Sequence, residues 1–223
     1  MSQRWTIRVV GGTVLFVLLA VTAFVFAPKA QGGQTNAADS RIQAGLAAAP
    51  VPLNMAGKNP ALVGLGSYIV NVSGDCNGCH SAGPQTQYAP GHNPYFGQPE
   101  MENPRTYLGG GRDFGALIPG SAHIISRNLT PDKTGVPEGG ASFEEFVRTM
   151  RTGEDADHLH PNCTGAPDLS CIPRPFDGSR LQIMPWPGFS KLTDHDLRAI
   201  YEYLSAIPCI QGNYPGESPN RCQ

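Results

Sequence analysis

Two cysteines and a histidine stand within five residues of one another, in the run Cys76-Asn77-Gly78-Cys79-His80. This C-x-x-C-H spacing is typical of covalent haem attachment, because both thiols can reach the vinyl groups on one edge of a porphyrin. The adjacent His80 can then turn its imidazole under the iron as the proximal ligand. A chain with this motif has to fold around the cofactor. Cys76, Cys79 and His80 are therefore predicted to hold haem c.

A C-x-x-C pair also occurs in redox dithiols and in zinc sites. A redox dithiol leaves the adjacent histidine unexplained, and a zinc site needs a second pair of ligands. The sequence contains no second C-x-x-C and no H-x-x-x-H. These facts favour the haem interpretation over both alternatives. The single motif and the lack of an internal repeat predict one covalent haem.

The N-terminal segment is predicted to direct export. Arg4 and Arg8 precede an uncharged stretch, residues 9–27, which as a helix would span about 28 Å, close to the roughly 30 Å of bilayer hydrocarbon. Residues 1–28 are therefore a membrane anchor or a cleaved signal peptide, and the length of the stretch favours the anchor. The positive end stays in the cytoplasm in either case. The expected location is the periplasmic side of the inner membrane, or the periplasm if the segment is cleaved.

Four further cysteines are predicted to form two disulfides. They are Cys163, Cys171, Cys209 and Cys222, an even number in an exported chain. Four cysteines allow three pairings. The local pairs Cys163–Cys171 and Cys209–Cys222 are favoured, because the segments between them are rich in Pro, Gly and Asn and their ends can approach.

Composition indicates one globular domain with many loops. The chain has 27 Gly and 21 Pro in 223 residues, and its formal net charge is −2. No basic block is present, which argues against nucleic-acid binding. Residues 29–59 are predicted to be a flexible tether, residues 60–208 the folded domain and residues 209–223 a disulfide-clipped tail.

Helix signals predict an all-α domain. Asn59 and Pro60 suit the start of a first helix, a capping box begins a second at Ser142, and Thr193 caps the last. Residues 81–141 are rich in Gly and Pro and are predicted to form loops around the haem, not a sheet.

Met184 is the favoured second axial ligand. It stands in Met184-Pro185-Trp186-Pro187, where two prolines stiffen the loop just before the last helix. An electron carrier usually has a protein ligand in the second axial site of its haem, and a methionine there raises the reduction potential. Met101, in a polar loop, is an alternative, as are a histidine ligand and an open site. Met150 lies on the apolar face of a predicted helix, where packing in the core is the better interpretation.

Three other residues are candidates for contacts with the haem edge or its propionates. They are Arg112, Asn128 and Trp186. A solvated loop position is the alternative for Arg112, since exposed arginine is the ordinary case. Trp186 stands in a tight proline loop and is expected to be buried on the haem.

Several segments resemble class I cytochromes c. Gly66-Ser67-Tyr68-Ile69-Val70, leading into Cys76–His80, resembles their first helix. Met184-Pro185-Trp186-Pro187-Gly188-Phe189 and Leu192-Thr193-Asp194 resemble their methionine loop and last helix. Between these, Asn128-Leu129-Thr130-Pro131-Asp132 resembles a bacterial subset that includes the cytochrome subunits of membrane-bound dehydrogenases.

The resemblance covers about residues 60–208 and implies a cytochrome c fold with long loops around one haem, preceded by an N-terminal apolar helix. It also implies His80/Met184 ligation, a crossing of the first and last helices at Gly66, and electron transfer at an exposed haem edge. The dehydrogenase subunits commonly carry three haems, whereas this chain has one motif. The resemblance and the motif predict an exported, membrane-tethered carrier of single electrons and not an enzyme. Its expected partners are a dehydrogenase or an oxidase. The alternative is a haem enzyme, or a small electron-entry subunit of a periplasmic dehydrogenase or oxidase complex.

Overall fold

The computed structural model describes residues 34–154, 160–212, 214, 217 and 220–223. The chain divides into two compact units, residues 1–38 and 39–223. The predicted anchor or signal peptide at residues 1–28 lies outside the described residues. Among the helices that are described, none is long and apolar enough to cross a bilayer.

The described part of the chain is mainly helical. Its α-helices are α1 (Gln34–Ala48), α2 (Pro60–Ser67), α3 (Cys76–His80), α4 (Pro84–Gln87), α5 (Pro137–Gly140), α6 (Phe143–Thr152), α7 (Trp186–Phe189) and α8 (Asp194–Leu204). A π-helical segment, Tyr68–Ser73, continues α2 towards the cysteines, and a 3₁₀ turn spans Pro94–Phe96.

A small antiparallel sheet interrupts the loops that were predicted for residues 81–141. Strand β1 (Asp113–Ala116) pairs with β2 (His123–Ile125). The Pro119-Gly120 pair lies in the turn that joins the two strands. The prediction of loops without a sheet is therefore wrong at this hairpin, and the domain is helical with one short two-stranded sheet.

The first and last helices of the domain cross at a glycine, as predicted. Helix α2 begins at Pro60, where the Asn59 side chain accepts a hydrogen bond from the Ala61 N–H at 3.0 Å. At the crossing with α8, a Cβ on Gly66 would lie 2.8 Å from the Tyr203 Cβ and would overlap the backbone of α8. Only glycine lets the two backbones approach this closely.

Helices α6 and α8 start where their sequences predict. Ser142 and Glu145 form a complete capping box at α6, and Thr193 and Asp196 form one at α8. Helix α6 ends at Gly153, whose φ of 75° suits glycine. The apolar faces of α2, α6 and α8 then enclose one core, which includes Val63, Val70, Phe146, Met150, Leu197, Ile200, Tyr203 and Leu204.

The structure differs from the predicted tether over the described part of residues 29–59. Helix α1 occupies much of this segment, and the Ser67 hydroxyl donates to the Gly45 carbonyl at 2.6 Å. A Cβ on Gly45 would overlap the backbone of Gly64, so the two helices lie in close contact. Val51 is only 6% exposed. The small residues that suggested flexibility instead allow close packing on α2.

Both predicted disulfides are present. Cys163–Cys171 and Cys209–Cys222 have Cα–Cα distances of 5.0 and 5.8 Å. The first closes a loop between α6 and α7, and the second closes the tail that follows α8.

Candidate haem site

One cavity brings four of the predicted haem residues together. Its volume is about 980 Å³, near the upper end of the range of about 300–1,000 Å³ for ligand pockets. Cys76, Cys79 and His80 line it from α3, and Met184 lines it from the loop before α7. The remaining wall is mostly apolar and includes Val70, Phe114, Leu129, Phe146, Met150, Ile172, Phe189 and Leu204.

Helix α3 is a single turn that carries the whole attachment motif. Cys76 and Cys79 are three residues apart, so their side chains lie on the same side of the turn. Neither cysteine is in a disulfide, so both thiols are available for thioether bonds. A Cβ on Gly78 would lie 2.9 Å from an Asp75 carboxylate oxygen, which explains why a glycine suits this position.

His80 is oriented by a backbone carbonyl. Its Nδ1 lies 2.7 Å from the Arg127 carbonyl oxygen. Because a carbonyl can only accept, Nδ1 carries the proton and Nε2 is left as the nitrogen that can bind a metal. Burial lowers the pKa of His80, which favours the neutral imidazole that metal binding requires.

The structure distinguishes the two candidate methionines by position. Met184 is half-buried, lines the cavity and packs against the core. Met101 is 50% exposed and is not among the described residues that line the cavity. Pro185 also lines the cavity. The backbone N–H of Trp186 donates to the Met184 carbonyl at 2.8 Å, which closes a tight turn at Pro185.

Arg112 and Asn128 are not among the described residues that line the cavity, so their contact with the haem edge or its propionates stays a prediction. The Arg112 guanidinium donates to the Gly78 carbonyl and lies 4.9 Å from the centre of the Phe114 ring. Asn128 is fully buried, and its amide donates to the Ile210 carbonyl at 2.8 Å. Arg112 therefore stabilises the Cys76–His80 turn through its bond to Gly78. Asn128 binds the segment after α8 through its bond to Ile210.

Trp186 is likewise absent from the described lining of the cavity, and its contact with the haem stays a prediction. Its indole N–H donates to the Leu181 carbonyl at 3.2 Å. The Arg180 guanidinium lies 5.6 Å from the centre of its ring, and a Cβ on Gly153 would overlap the indole. Trp186 therefore packs between the loop that precedes α7 and the end of α6.

Asn77, inside the C-x-x-C-H motif, has a structural role that was not predicted from the sequence. It is 3% exposed. Its side-chain Oδ1 accepts from the Leu108 backbone N–H at 2.8 Å, and its side-chain Nδ2 donates to the Glu102 carboxylate. Burial raises the pKa of Glu102 to about 7. The partners lie 25 and 31 residues away along the chain, so the local sequence gave no signal of this role.

The cavity also carries polar groups that were not predicted. They include His123, Arg127, His160, Arg180, Gln182 and Tyr214, and also the carboxylates of Asp75, Asp113 and Glu138. A mostly apolar wall with a few polar groups suits a ligand with a large apolar body and polar ends. Two thiols, an imidazole nitrogen, a thioether and such a wall together fit haem c.

Comparison with known proteins agrees with this chemistry, although no family model matches the chain. The gluconate 2-dehydrogenase cytochrome c subunit of Pantoea cypripedii is 28% identical over 166 residues, 72% of this chain and 27% of that protein. The alcohol dehydrogenase (quinone) cytochrome c subunit of Gluconacetobacter polyoxogenes is 29% identical over 172 residues, 76% of this chain and 26% of that protein. The corresponding subunit of Gluconobacter oxydans (strain 621H) is 28% identical over 149 residues, 65% of this chain and 21% of that protein.

This chain thus spans about a quarter of the length of the curated relatives that it matches. The predicted resemblance is confirmed: over about two thirds to three quarters of its length, the chain is similar to cytochrome c subunits of dehydrogenases.

Proposed function

We propose that this chain is an exported c-type cytochrome that carries single electrons through one covalent haem. The observation that carries the proposal is the cavity of about 980 Å³ lined by Cys76, Cys79, His80 and Met184. The bound haem would supply exchange of one electron between the ferrous and ferric states.

The side chains of this protein have separate roles in the proposal. Cys76 and Cys79 would hold the porphyrin through thioether bonds, and His80 and Met184 would bind its iron. A thioether ligand raises the reduction potential, and apolar walls that exclude water oppose the additional charge of the ferric state. The Arg127 carbonyl acts in the opposite direction. It accepts a hydrogen bond from His80 Nδ1, which makes the imidazole more basic and so lowers the reduction potential.

A carrier is favoured over an enzyme because both axial positions would be occupied by protein ligands, which leaves no open position for a substrate. The relatives are named as cytochrome c subunits of dehydrogenases, which supports a dehydrogenase as the redox partner and the alternative that this chain is itself a subunit of such a complex. Export would place it in the periplasm. Anchoring through residues 1–28 would raise its effective concentration at a membrane partner.

Extraction of the haem tests the covalent part of the proposal. The full chain is produced in a host with the haem-attachment machinery and extracted with acid–acetone. The mass of the polypeptide is then measured by denaturing mass spectrometry. The haem should stay with the polypeptide, at one haem per chain, and the Cys76→Ala/Cys79→Ala double variant should yield the bare polypeptide mass. Haem found in the solvent, or two haems per chain, would refute a single covalent site.

A further inference from the structure

The disulfide-closed tail is bonded to the chain segment that orients His80. The Asn128 amide donates to the Ile210 carbonyl at 2.8 Å, and the Ile210 N–H donates to the Thr130 hydroxyl at 3.0 Å. Both bonds join Ile210, the residue after Cys209 in the disulfide-closed tail, to the stretch that follows Arg127. The tail is thus part of the structure around the proximal ligand.

A single peptide group connects the tail to His80. Its carbonyl, that of Arg127, accepts from His80 Nδ1 at 2.7 Å, and its N–H, that of Asn128, donates to the Tyr214 hydroxyl at 2.9 Å. A Cβ on Gly110 would overlap this peptide, so the neighbouring backbone holds it tightly from one side. The Tyr214 hydroxyl and the His80 imidazole are therefore hydrogen-bonded to opposite ends of the same peptide group.

The same hydroxyl is electrostatically coupled to a buried ion pair. Burial and the nearby Glu217 carboxylate raise the pKa of Tyr214, and that carboxylate lies 2.9 Å from the Arg221 guanidinium. The Glu217 and Arg221 side chains are only 4% and 6% exposed. Arg221 also donates to the Asn128 carbonyl at 2.8 Å. Because these groups are removed from water, their hydrogen bonds polarise one another more strongly than they would at the surface.

We infer that Tyr214 is a positioning residue for His80, and that the tail lowers the reduction potential of the haem through the Arg127–Asn128 peptide. This inference rests on the proposed function. The hydrogen bond from the Asn128 N–H to Tyr214 polarises the peptide, which makes the Arg127 carbonyl a better acceptor. A stronger bond from His80 Nδ1 makes the imidazole more basic, and the more basic ligand stabilises the ferric state.

The test is Tyr214→Phe in the full-length holoprotein, which removes the hydroxyl and keeps the ring. The potential should rise, by at most the 59 mV that a tenfold change in the ferrous-to-ferric ratio represents. In NMR spectra of the ferrous protein, the His80 Nδ1–H resonance should move upfield as its hydrogen bond weakens. Tyr201→Phe is the matched control, because the Tyr201 hydroxyl donates to the Ala141 carbonyl at 2.9 Å and has no bond to this peptide.

Glu217→Gln gives a second, independent variant. It removes the negative charge near Tyr214 and keeps the size of the side chain, so both readouts should shift in the same direction as in Tyr214→Phe. The inference is overturned if Tyr214→Phe leaves the potential and the resonance at their wild-type values, or if the potential moves while the resonance does not. Failure of the proposed function is distinguishable, because the unmodified protein would then lack covalent haem before any variant is made.

Discussion

Gly66 on α2 faces the Ala199 carbonyl oxygen on α8 with no space between them for a side chain. We expect Gly66→Ala to lower the free energy of unfolding by about 1–3 kcal/mol, since an additional carbon here forces two packed backbones apart. Urea denaturation of the holoprotein measures the change. Gly165→Ala is the control, because a Cβ there meets nothing within 4 Å, and its effect should stay within about 0.5 kcal/mol. Equal effects of the two substitutions would show that the crossing is not tight.

Asn77 holds the attachment turn to a distant loop. Asn77→Ala leaves the buried Leu108 N–H without its acceptor, so we expect it to cost about 1–3 kcal/mol in the free energy of unfolding. Asn93→Ala is the control, since the Asn93 side chain accepts from the Tyr95 N–H in an exposed turn where water can replace it. Thermal unfolding of both variants checks the difference, and a loss at Asn77 no greater than that at Asn93 would remove the structural role assigned to Asn77.

Glu102 is expected to make stability fall as the pH rises. Burial raises its pKa in the folded protein from 4.5 to about 7, so the folded state binds more protons than the unfolded state between those values. Its contribution to stability is therefore full below about pH 4.5 and is lost as the pH rises through about 7. Nearby carboxylates of Asp75 and Glu100 act in the same direction.

The Glu102→Gln variant tests this pH dependence. It cannot ionise, so it should gain stability relative to the wild type as urea denaturation is repeated from about pH 5 to about pH 8. Glu144→Gln, on the exposed first turn of α6, should track the wild type across the same range. A constant difference between Glu102→Gln and the wild type would contradict the raised pKa.

The features that were predicted correctly depend on short stretches of chain. The capping boxes at Ser142 and Thr193 lie within four residues, and the attachment motif lies within five. The close approach at Gly66 was recognisable because a glycine inside a helix costs stability unless something requires it. Local patterns of this kind therefore predicted three helix starts and four residues that line one cavity.

The features that were missed depend on partners far apart in sequence. The Asn128 side-chain amide, for example, donates to the Ile210 carbonyl, 82 residues away. The small residues around Gly45 looked flexible because their close contact with Gly64 exists only in the folded chain. The hydrogen-bond path from Tyr214 to His80 likewise joins three separate segments, and no local pattern could indicate it.

The central claim is that Met184 completes a His/Met haem site in the cavity that contains His80. The measurement is the near-infrared charge-transfer band of the ferric holoprotein, which arises from a thioether–iron bond, recorded for Met184→Ala and Met101→Ala together with their reduction potentials. We expect Met184→Ala to abolish the band, lower the potential and let small ligands bind the iron, because the thioether that favours the ferrous state is lost. Met101→Ala should leave all three properties at their wild-type values. A band that survives Met184→Ala and disappears in Met101→Ala would contradict the ligand assignment, and a band that neither substitution affects would contradict both methionines as ligands.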